Sequence, residues 1–436
     1  MASIPFSSPP WMLGLPSPYH TDSHRAWQKA CRAFMQKHLH AHALDWENEG
    51  DLPAHVYKTF SDHNMLLPAL PPPLPLGMLK ELGVHDFLGV VKVEDFDYIH
   101  FSIYISELRA CGVPGVSSAL ISDMAYAVPP LIKYGSAELQ KRVLGRFVKG
   151  EIRGCIGITE PGAGSDVANI AASAVKTPDG RHYVVNGEKK WITNGIWADY
   201  CTMAVRTGGP GATGLSILLV PLKGHPGVSI RRLKTSGGTT GGTAYIELDD
   251  VKVPVENLVG EEGQGMKMIM RNFNHERLLI TIGVTTSARV ALSSAFEYVM
   301  KREAFNKPLM DQPVVRNRLA KCGAELESLS AWVEQLVFQM ANLEKSVSDA
   351  ELGGLTALAK ARAGIVFDKC VRCAVLLFGG NGFTRTGQGE LVEKLYREVP
   401  GARIPGGSED VLLDLAVRQL VKNYRAKVRA LESAKL

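Results

Sequence analysis

The pattern of hydrophobic residues changes twice along the chain, and these changes limit the folds that it can adopt. Up to about residue 150, apolar and charged residues alternate at helical intervals in Ala26 to Leu44, Tyr98 to Arg109 and Ser136 to Val148. Short β-rich runs divided by Gly and Pro turns follow, among them Leu215 to Leu222 and Ala244 to Val251. Long helical patterns return from Gln264 onward.

The order helical, β, helical predicts an α+β fold. It comprises an N-terminal helical domain, a small middle β domain and a C-terminal helical domain similar to a four-helix bundle. The predicted boundaries are an N-terminal extension at 1–25 and domains at 26–153, 154–262 and 263–436. A chain of 436 residues is long enough to bury a core in each of them.

Composition excludes several classes of function. A net charge of +5 spread over 436 residues suits a polyanionic small ligand but does not form a nucleic-acid-binding patch. No run of eighteen apolar residues occurs, so we predict no membrane-spanning helix.

Seven scattered cysteines indicate reduced thiols in an intracellular protein. Cys370 and Cys373 form a C-x-x-C on a predicted helix, for which a metal or redox role remains an alternative to simple packing.

The last residues resemble a targeting signal. The chain ends Ser433-Ala434-Lys435-Leu436, and the final A-K-L is similar to the S-K-L peroxisomal address. We therefore expect a peroxisomal protein, and otherwise a cytoplasmic one. The alternative is an ordinary helix end.

Two segments of the middle domain carry the most specific motifs. Thr159-Glu160-Pro161-Gly162-Ala163-Gly164-Ser165-Asp166 places hydroxyl and carboxylate side chains around a turn where backbone amides can approach a ligand closely. Lys190-Trp191-Ile192-Thr193-Asn194-Gly195 places a flat aromatic ring two residues before a hydroxyl. This combination suits a planar ring system with polar edges. The alternative is a hairpin in which the Trp fills a core.

Together the two segments resemble the flavin-binding part of the acyl-CoA dehydrogenase family. The resemblance implies FAD as the cofactor, with the Thr159 hydroxyl at the flavin edge, Trp191 on the ring, Thr193 near flavin N5 and Ser165 on the pantetheine side. Ile158, Gly164 and Ile192 belong to the same predicted contact surface. The layout matches the family from about residue 26 onward.

The C-terminal domain contains further matches to this family. Arg302-Glu303-Ala304-Phe305-Asn306-Lys307-Pro308-Leu309 with Gln312 resembles its R-x-x-F-x-x-P-L-x-x-x-Q, which reaches the flavin nucleotide of a neighbouring subunit. Gly379-Gly380 resembles its second Gly-rich segment, and Ser408 and Asp410 match flavin-contacting positions. Leu376 stands where the family usually has Gln, and Asp410 also stands where Gln is common.

The catalytic carboxylate occupies an unusual place. Many family members supply it from a Y-E-G-T segment, but the matching position here is Gly406. Asn272 to Ile280 resembles the helix that carries the base in isovaleryl-CoA and long-chain dehydrogenases, so Glu276 is the predicted base. Apolar neighbours at i−3 and i+4, Phe273 and Ile280, are of the kind that raises the pKa of a carboxyl. The alternative is an exposed Glu in a surface ion pair.

The substrate contacts predicted by the same resemblance are Ser165, Asn274, Arg277 and Gly406. The Gly406 N–H can bond the thioester carbonyl while the absent side chain leaves space. His275 is expected to be a packed or capping residue. No metal site is predicted, because His38, His40 and His42 would lie on different faces of a helix.

The predicted function is FAD-dependent α,β-dehydrogenation of an acyl-CoA in fatty acid metabolism by a homodimer or homotetramer. Either oxygen or an electron-transfer flavoprotein accepts the electrons. The alternatives are a flavin oxidase with a non-thioester substrate and a non-catalytic protein that binds FAD or acyl-CoA.

Overall fold

A computed structural model describes residues 4–433, so the predicted C-terminal address at Ala434–Leu436 lies outside the described residues. The α-helices are α1 (Asp22–Met35), α2 (Ala43–Glu49), α3 (Ala54–Asp62), α4 (Leu76–Glu81), α5 (Tyr98–Arg109), α6 (Pro114–Ser122), α7 (Val128–Tyr134), α8 (Ala137–Val148), α9 (Gly265–Lys301), α10 (Pro313–Asn342), α11 (Lys345–Glu351), α12 (Gly353–Phe378), α13 (Glu390–Arg403) and α14 (Glu409–Ser433). The segment 26–44, for which the sequence predicts helical structure, contains the end of α1 at Met35, a π-helical turn at Gln36–His40 and the start of α2 at Ala43.

Most strands lie in one sheet. The strands are β1 (Asp86–Phe87), β2 (Val91–Lys92), β3 (Gly154–Gly157), β4 (Ser173–Lys176), β5 (His182–Ile192), β6 (Tyr200–Arg206), β7 (Leu215–Pro221), β8 (Val228–Arg232), β9 (Ala244–Pro254), β10 (Leu258–Val259), β11 (Glu303–Ala304) and β12 (Lys307–Pro308). The eight-stranded sheet has the order β10-β7-β6-β4-β5-β9-β8, with β3 paired in parallel to β6. The other strands form two short hairpins, β1–β2 and β11–β12.

The chain forms two compact units. The first unit comprises Met1–Arg32, Asp97–Gly112 and Asn274–Leu436, and the second unit comprises Ala33–Phe96 and Val113–Phe273. The predicted fold class, helical then β then helical, is confirmed.

The second unit is built around the sheet. Alternate residues of β5 point into the core, so that Tyr183, Val185 and Ile192 are buried. They pack with apolar residues of β6, β7 and β9. The antiparallel β5–β9 pair runs from His182 opposite Pro254 to Ile192 opposite Ala244, with irregularities between Val185 and Gly187 and between Lys190 and Ile192.

The first unit is helical. Helix α12 packs against α10, α13 and α14. Asp97 caps α5 by accepting hydrogen bonds from the backbone N–H groups of Ile99 and His100. The same carboxylate contacts the rings of His24 at 3.3 Å and His100 at 2.8 Å, which makes this group the one set with metal-ligand spacing within residues 4–433. The Thr21 hydroxyl hydrogen-bonds to Nδ1 of His24, and the Ser23 hydroxyl hydrogen-bonds to Nε2 of His100. Both nitrogens of each ring therefore already have hydrogen-bond partners within the protein.

Helix α9 is the one described helix that is long and apolar enough to cross a membrane. However, 78% of its most apolar 18-residue window is buried. This burial is typical of the core helix of a globular fold.

Candidate active site

A buried ion pair organises the turn of the first predicted flavin motif, in the second unit. The Glu160 carboxylate is 5% exposed and accepts hydrogen bonds from Lys189 Nζ at 2.7 Å and from the backbone N–H groups of Ala171 at 2.6 Å and Ala172 at 3.0 Å. Burial lowers the pKa of Lys189, and the Glu160 charge opposes this shift. Backbone bonds in both directions between Glu160 and Ala163 close the turn. Sequence reasoning missed the role of Lys189, because no local pattern shows that a lysine is buried.

The ion pair leaves the exposed side of the turn open. Gly162, Gly164 and Ser165 are exposed, and a Cβ added at either glycine would meet no atom within 4 Å. The turn therefore has room for a ligand against its backbone.

Trp191 lies beside this turn and is presented outward. The backbone N–H of Lys190 donates to the Thr159 carbonyl at 3.0 Å, which joins the two predicted motifs. Trp191 sits at the irregularity in β5, has a left-handed φ of 59° and is 51% exposed. A bulge re-aims a side chain, and a non-Gly residue at positive φ is a mark of strain common at functional sites. The alternative of a core tryptophan is therefore excluded.

The residues around Trp191 anchor the strand end. Ile192 is buried, Thr193 is half-buried, and the Ile158 carbonyl accepts from Lys189 Nζ at 3.2 Å. Asn194, also at positive φ, donates to the Gly154 carbonyl at 2.9 Å and accepts from Arg153 at 3.0 Å. These contacts hold the strand end on which Trp191 is presented.

The predicted base lies on α9 in the first unit. Glu276 is 7% exposed, so the alternative of an exposed surface Glu is wrong. His275, 2% exposed, packs near the rings of Tyr98 and Phe101 with centroid distances of 6.0 and 4.8 Å, as expected for a packed histidine. The Asn274 side chain donates to the Asp349 carbonyl at 3.3 Å.

The turn at Gly406 is held by buried cations. Lys360 Nζ donates to the Arg403 and Gly407 carbonyls at 2.9 and 2.7 Å, and Arg277 Nε donates to the Gly406 carbonyl at 3.3 Å. Burial lowers the pKa of Lys360 to about 8 and also lowers the pKa of Arg277. The turn and the helix that carries Glu276 are thus joined through Arg277.

Gly406 has no room for a side chain without rearrangement. Its φ is +71°, and an added Cβ would lie 2.7 Å from Cδ1 of Ile280, a residue of α9. Ser408 is half-buried and Asp410 is exposed at the start of α14.

The segment with Arg302 forms a hairpin. Strands β11 and β12 pair, with Phe305 and Asn306 at the tip, both at positive φ. Phe305 is 87% exposed, and Gln312 precedes α10 as its N-cap residue. Gly379 ends α12 at a φ of +59°, and neither Gly379 nor Gly380 has an atom within 4 Å of an added Cβ.

Comparison with known proteins decides the family. The chain matches the acyl-CoA dehydrogenase N-terminal domain over residues 21–151, the middle domain over 155–251 and the C-terminal domain over 263–421. The chain belongs to the acyl-CoA dehydrogenase family.

Relatives of the family support this assignment over nearly the whole chain. The chain is 61% identical to the acyl-CoA dehydrogenase apdG of Emericella nidulans, over 100% of this chain and 99% of that protein. It is 37% identical to the acyl-CoA dehydrogenase AFT10-1 of Alternaria alternata, over 97% of each. A probable acyl-CoA dehydrogenase from Mycobacterium abscessus superposes with a TM-score of 0.81 at 30% identity, covering 92% of this chain and 100% of that one.

The predicted site residues divide between the two units. Those from Ile158 to Thr193 lie in the second unit and converge through the Thr159–Lys190 bond. Those from Asn274 onward lie in the first unit, where Arg277 and Gly406 are in contact. Their individual roles stay predictions.

Proposed function

We propose that this acyl-CoA dehydrogenase oxidises its thioester at the α and β carbons, with Glu276 as the base. The observation that carries the proposal is the burial of the Glu276 side chain, 7% exposed, in a chain whose Gly406 lacks the carboxylate of the Y-E-G-T position. A base buried away from water is what removal of a weakly acidic α-proton requires.

FAD is the cofactor of this family, and the residues of the second unit fit it. The exposed ring of Trp191 is a stacking surface, Thr159 and Thr193 carry hydroxyls beside it, and Gly162 to Gly164 leave the backbone open. When bound, FAD would supply the acceptor for the β-hydrogen of the substrate, which would leave as hydride toward N5. Ile158, Gly164, Ser165 and Ile192 complete the proposed contact surface of this unit.

Glu276 moves the proton. Its carboxylate takes the α-proton of the thioester, and the electrons left on the α-carbon form the double bond as the β-hydrogen leaves. Few waters reach a side chain that is 7% exposed, so little solvent competes with the substrate for the carboxylate.

Gly406 and Arg277 position the thioester end. The Gly406 N–H is proposed to donate to the thioester carbonyl and stabilise its developing negative charge. Arg277 donates to the Gly406 carbonyl at 3.3 Å and so helps to hold the turn that carries this N–H. Asn274 and Ser165 are proposed to contact the pantetheine portion.

The nucleotide half of FAD is proposed to be bound across a subunit interface of a homodimer or homotetramer. Arg302, Phe305 and Gln312 would act with Gly379 and Gly380, and Ser408 and Asp410 would contact the flavin. Phe305 is 87% exposed at the tip of the β11–β12 hairpin and is therefore accessible to a second subunit.

The proposed acceptor of electrons from the reduced flavin depends on where the protein is located in the cell. If the A-K-L ending directs the protein to the peroxisome, oxygen is the proposed acceptor and hydrogen peroxide forms in equal amount with the product. If it does not, an electron-transfer flavoprotein is the acceptor. Peroxide measurement during turnover under air distinguishes the two, because its absence excludes oxygen.

The first experiment is anaerobic mixing of the FAD-loaded protein with acyl-CoAs of graded chain length and branching, followed by flavin absorbance. Rapid bleaching with one class supports the proposal and identifies the substrate class. Bound FAD that no thioester reduces contradicts it and favours a non-thioester substrate or a binding protein.

The role of Glu276 is tested by Glu276→Gln. We expect retained FAD, retained acyl-CoA binding and flavin reduction slower by about 10²–10⁴-fold. The matched control is Glu297→Gln on the same helix, where Glu297 is half-buried and pairs with Lys301. Unchanged reduction in Glu276→Gln would remove this residue from the mechanism.

A further inference from the structure

Lys360 is a lysine of α12 whose charged group is buried inside the first unit. Its side chain is 1% exposed, and its Nζ donates to the backbone carbonyls of Arg403 at 2.9 Å and Gly407 at 2.7 Å. Lysines are rarely buried unless a charged partner compensates them. Within residues 4–433, both hydrogen-bond acceptors of this ammonium group are uncharged carbonyls, so no directly bonded carboxylate neutralises it.

The two hydrogen bonds of Lys360 hold the turn that carries Gly406. Arg403 is the last residue of α13, and Gly407 lies just before the start of α14 at Glu409. The ammonium group therefore joins the two sides of the turn. Lys360 Cε also lies 3.9 Å from the position that a Cβ of Gly406 would occupy. The buried positive charge is thus close to this glycine.

A second cation approaches the same turn. Arg277 of α9 donates from Nε to the Gly406 carbonyl at 3.3 Å, and its charge acts on Lys360. Glu409, the carboxylate that attracts Lys360, accepts a hydrogen bond from Nε of Arg403 at 2.9 Å. Two buried like charges are costly, and a neutral amide could donate the same two hydrogen bonds that Lys360 makes. Support of the turn alone therefore does not require a lysine.

We propose that Lys360 is a positioning residue of the dehydrogenation, which fixes the Gly406 turn and supplies positive charge beside it while Glu276 takes the α-proton. This inference rests on the proposed function, in which the Gly406 N–H donates to the thioester carbonyl. Removal of the α-proton places negative charge on that carbonyl oxygen, and a fixed cation in a water-poor site stabilises this charge. Lys360 thus makes the α-proton more acidic without accepting it.

Deprotonation of Lys360 separates its charge from its hydrogen bonds. Burial lowers the pKa of Lys360 to about 8, the charge of Arg277 on α9 lowers it too, and the charge of Glu409 on α14 opposes both. The guanidinium of Arg403 on α13 is bonded to Glu409 and to Asp368 of α12. The neutral amine that forms above this pH keeps two N–H groups, one for each carbonyl. The turn is then retained while the positive charge is lost.

The first experiment follows flavin reduction in the FAD-loaded protein by stopped-flow absorbance between pH 6 and pH 10, with the acyl-CoA that reduces the native flavin fastest. The native rate should fall above about pH 8. At pH 7, Lys360→Gln and Lys360→Met should each be slower by about tenfold to hundredfold, and neither should show the alkaline fall. Lys301→Gln is the control and should match the native chain, because Lys301 is exposed and lies 25 positions beyond Glu276, about 37 Å along α9.

The second experiment measures the acidity of the α-proton without hydride transfer. A 3-thiaacyl-CoA of the same chain length carries sulfur in place of the β-carbon, so it can lose its α-proton but has no β-hydrogen to give. The pH at which the bound analogue is deprotonated, followed by the absorbance change of the flavin, should rise by about 1–2 units in Lys360→Gln and Lys360→Met. Lys301→Gln should leave this pH unchanged. A substitution that only loosened the fold would weaken FAD binding and leave this pH unchanged.

Three results in a protein that acyl-CoA reduces would overturn this inference alone. They are a native rate that stays constant above pH 8, an alkaline fall that persists in Lys360→Gln, and an unchanged deprotonation pH of the bound analogue in both variants. The native profile involves no substitution, so it decides the electrostatic role even if Lys360→Met does not fold. A native flavin that no acyl-CoA reduces would instead contradict the proposed function, and this inference with it.

Discussion

Replacement of Gly406 by alanine tests whether this turn is held by two separable constraints. The first is the backbone, since φ is +71°. The second is a contact, since the new Cβ would lie 2.7 Å from Cδ1 of Ile280. The contact is made to the end of a side chain, so rotation of Ile280 can relieve it.

The two constraints have different magnitudes. An L residue in the left-handed region costs about 1–2 kcal/mol, and the restricted unfolded chain offsets about 0.4–1 kcal/mol. Moving Ile280 off its preferred rotamer costs about 0.5–1.5 kcal/mol. We therefore expect Gly406→Ala to lower the free energy of unfolding by about 0.5–3 kcal/mol.

A matched glycine separates these contributions. Gly387 has a φ of +78° and no atom within 4 Å of an added Cβ, so Gly387→Ala carries the backbone cost alone. Ile280→Val removes Cδ1, so Gly406→Ala in that background should cost the same as Gly387→Ala. Urea unfolding followed by circular dichroism measures all four variants, and their positions lie in the same unit.

Two outcomes would refute this reasoning. Equal costs for Gly406→Ala and Gly387→Ala would show that the contact with Ile280 has no energetic effect. A coupling energy near zero between Gly406→Ala and Ile280→Val would show the same by an independent route.

Three further predictions concern other sites. Lys189→Met should lower the free energy of unfolding in urea by about 3–5 kcal/mol, because it leaves the Glu160 charge buried without its partner. The double variant Lys189→Met/Glu160→Gln should recover part of the lost stability. No recovery in the double variant would contradict the ion-pair argument. Trp191→Ala should raise the dissociation constant of FAD about tenfold in fluorescence titrations, and unchanged affinity would exclude stacking. Burial raises the pKa of Glu334 from 4.5 to about 7, so the folded state holds its proton longer than the unfolded state. The free energy of unfolding of the native chain then falls as the pH rises from about 4.5 to about 7. Between pH 5 and pH 8, the free energy of unfolding of Glu334→Gln should rise by about 1–2 kcal/mol relative to that of the native chain. Parallel curves of unfolding free energy against pH for the two proteins would contradict this.

Local patterns were sufficient for much of the architecture. The periodicity that predicted a helix from Tyr98 to Arg109 matches α5, and the β-rich runs at 215–222 and 244–251 fall in β7 and β9. The helical pattern at 26–44 also falls on helical structure, but it did not show the π-helical turn at Gln36–His40 between α1 and α2, because periodicity alone cannot detect such a turn. The two glycine- and tryptophan-containing motifs also predicted the family, which the comparisons confirmed.

Secondary structure, domain order and family could be read from neighbouring residues, because helix and strand periodicity and short turn motifs involve only a few consecutive positions. The burial of individual side chains and their contacts could not be predicted from neighbouring residues, because both depend on packing between distant segments of the chain. Tertiary structure alone buried Glu276, joined Lys189 to Glu160 across 29 positions and placed Cys322 beside a C-x-x-C about 48 positions away. A side chain's charge state and reactivity follow from the water it has lost and the groups it meets, and the fold determines both.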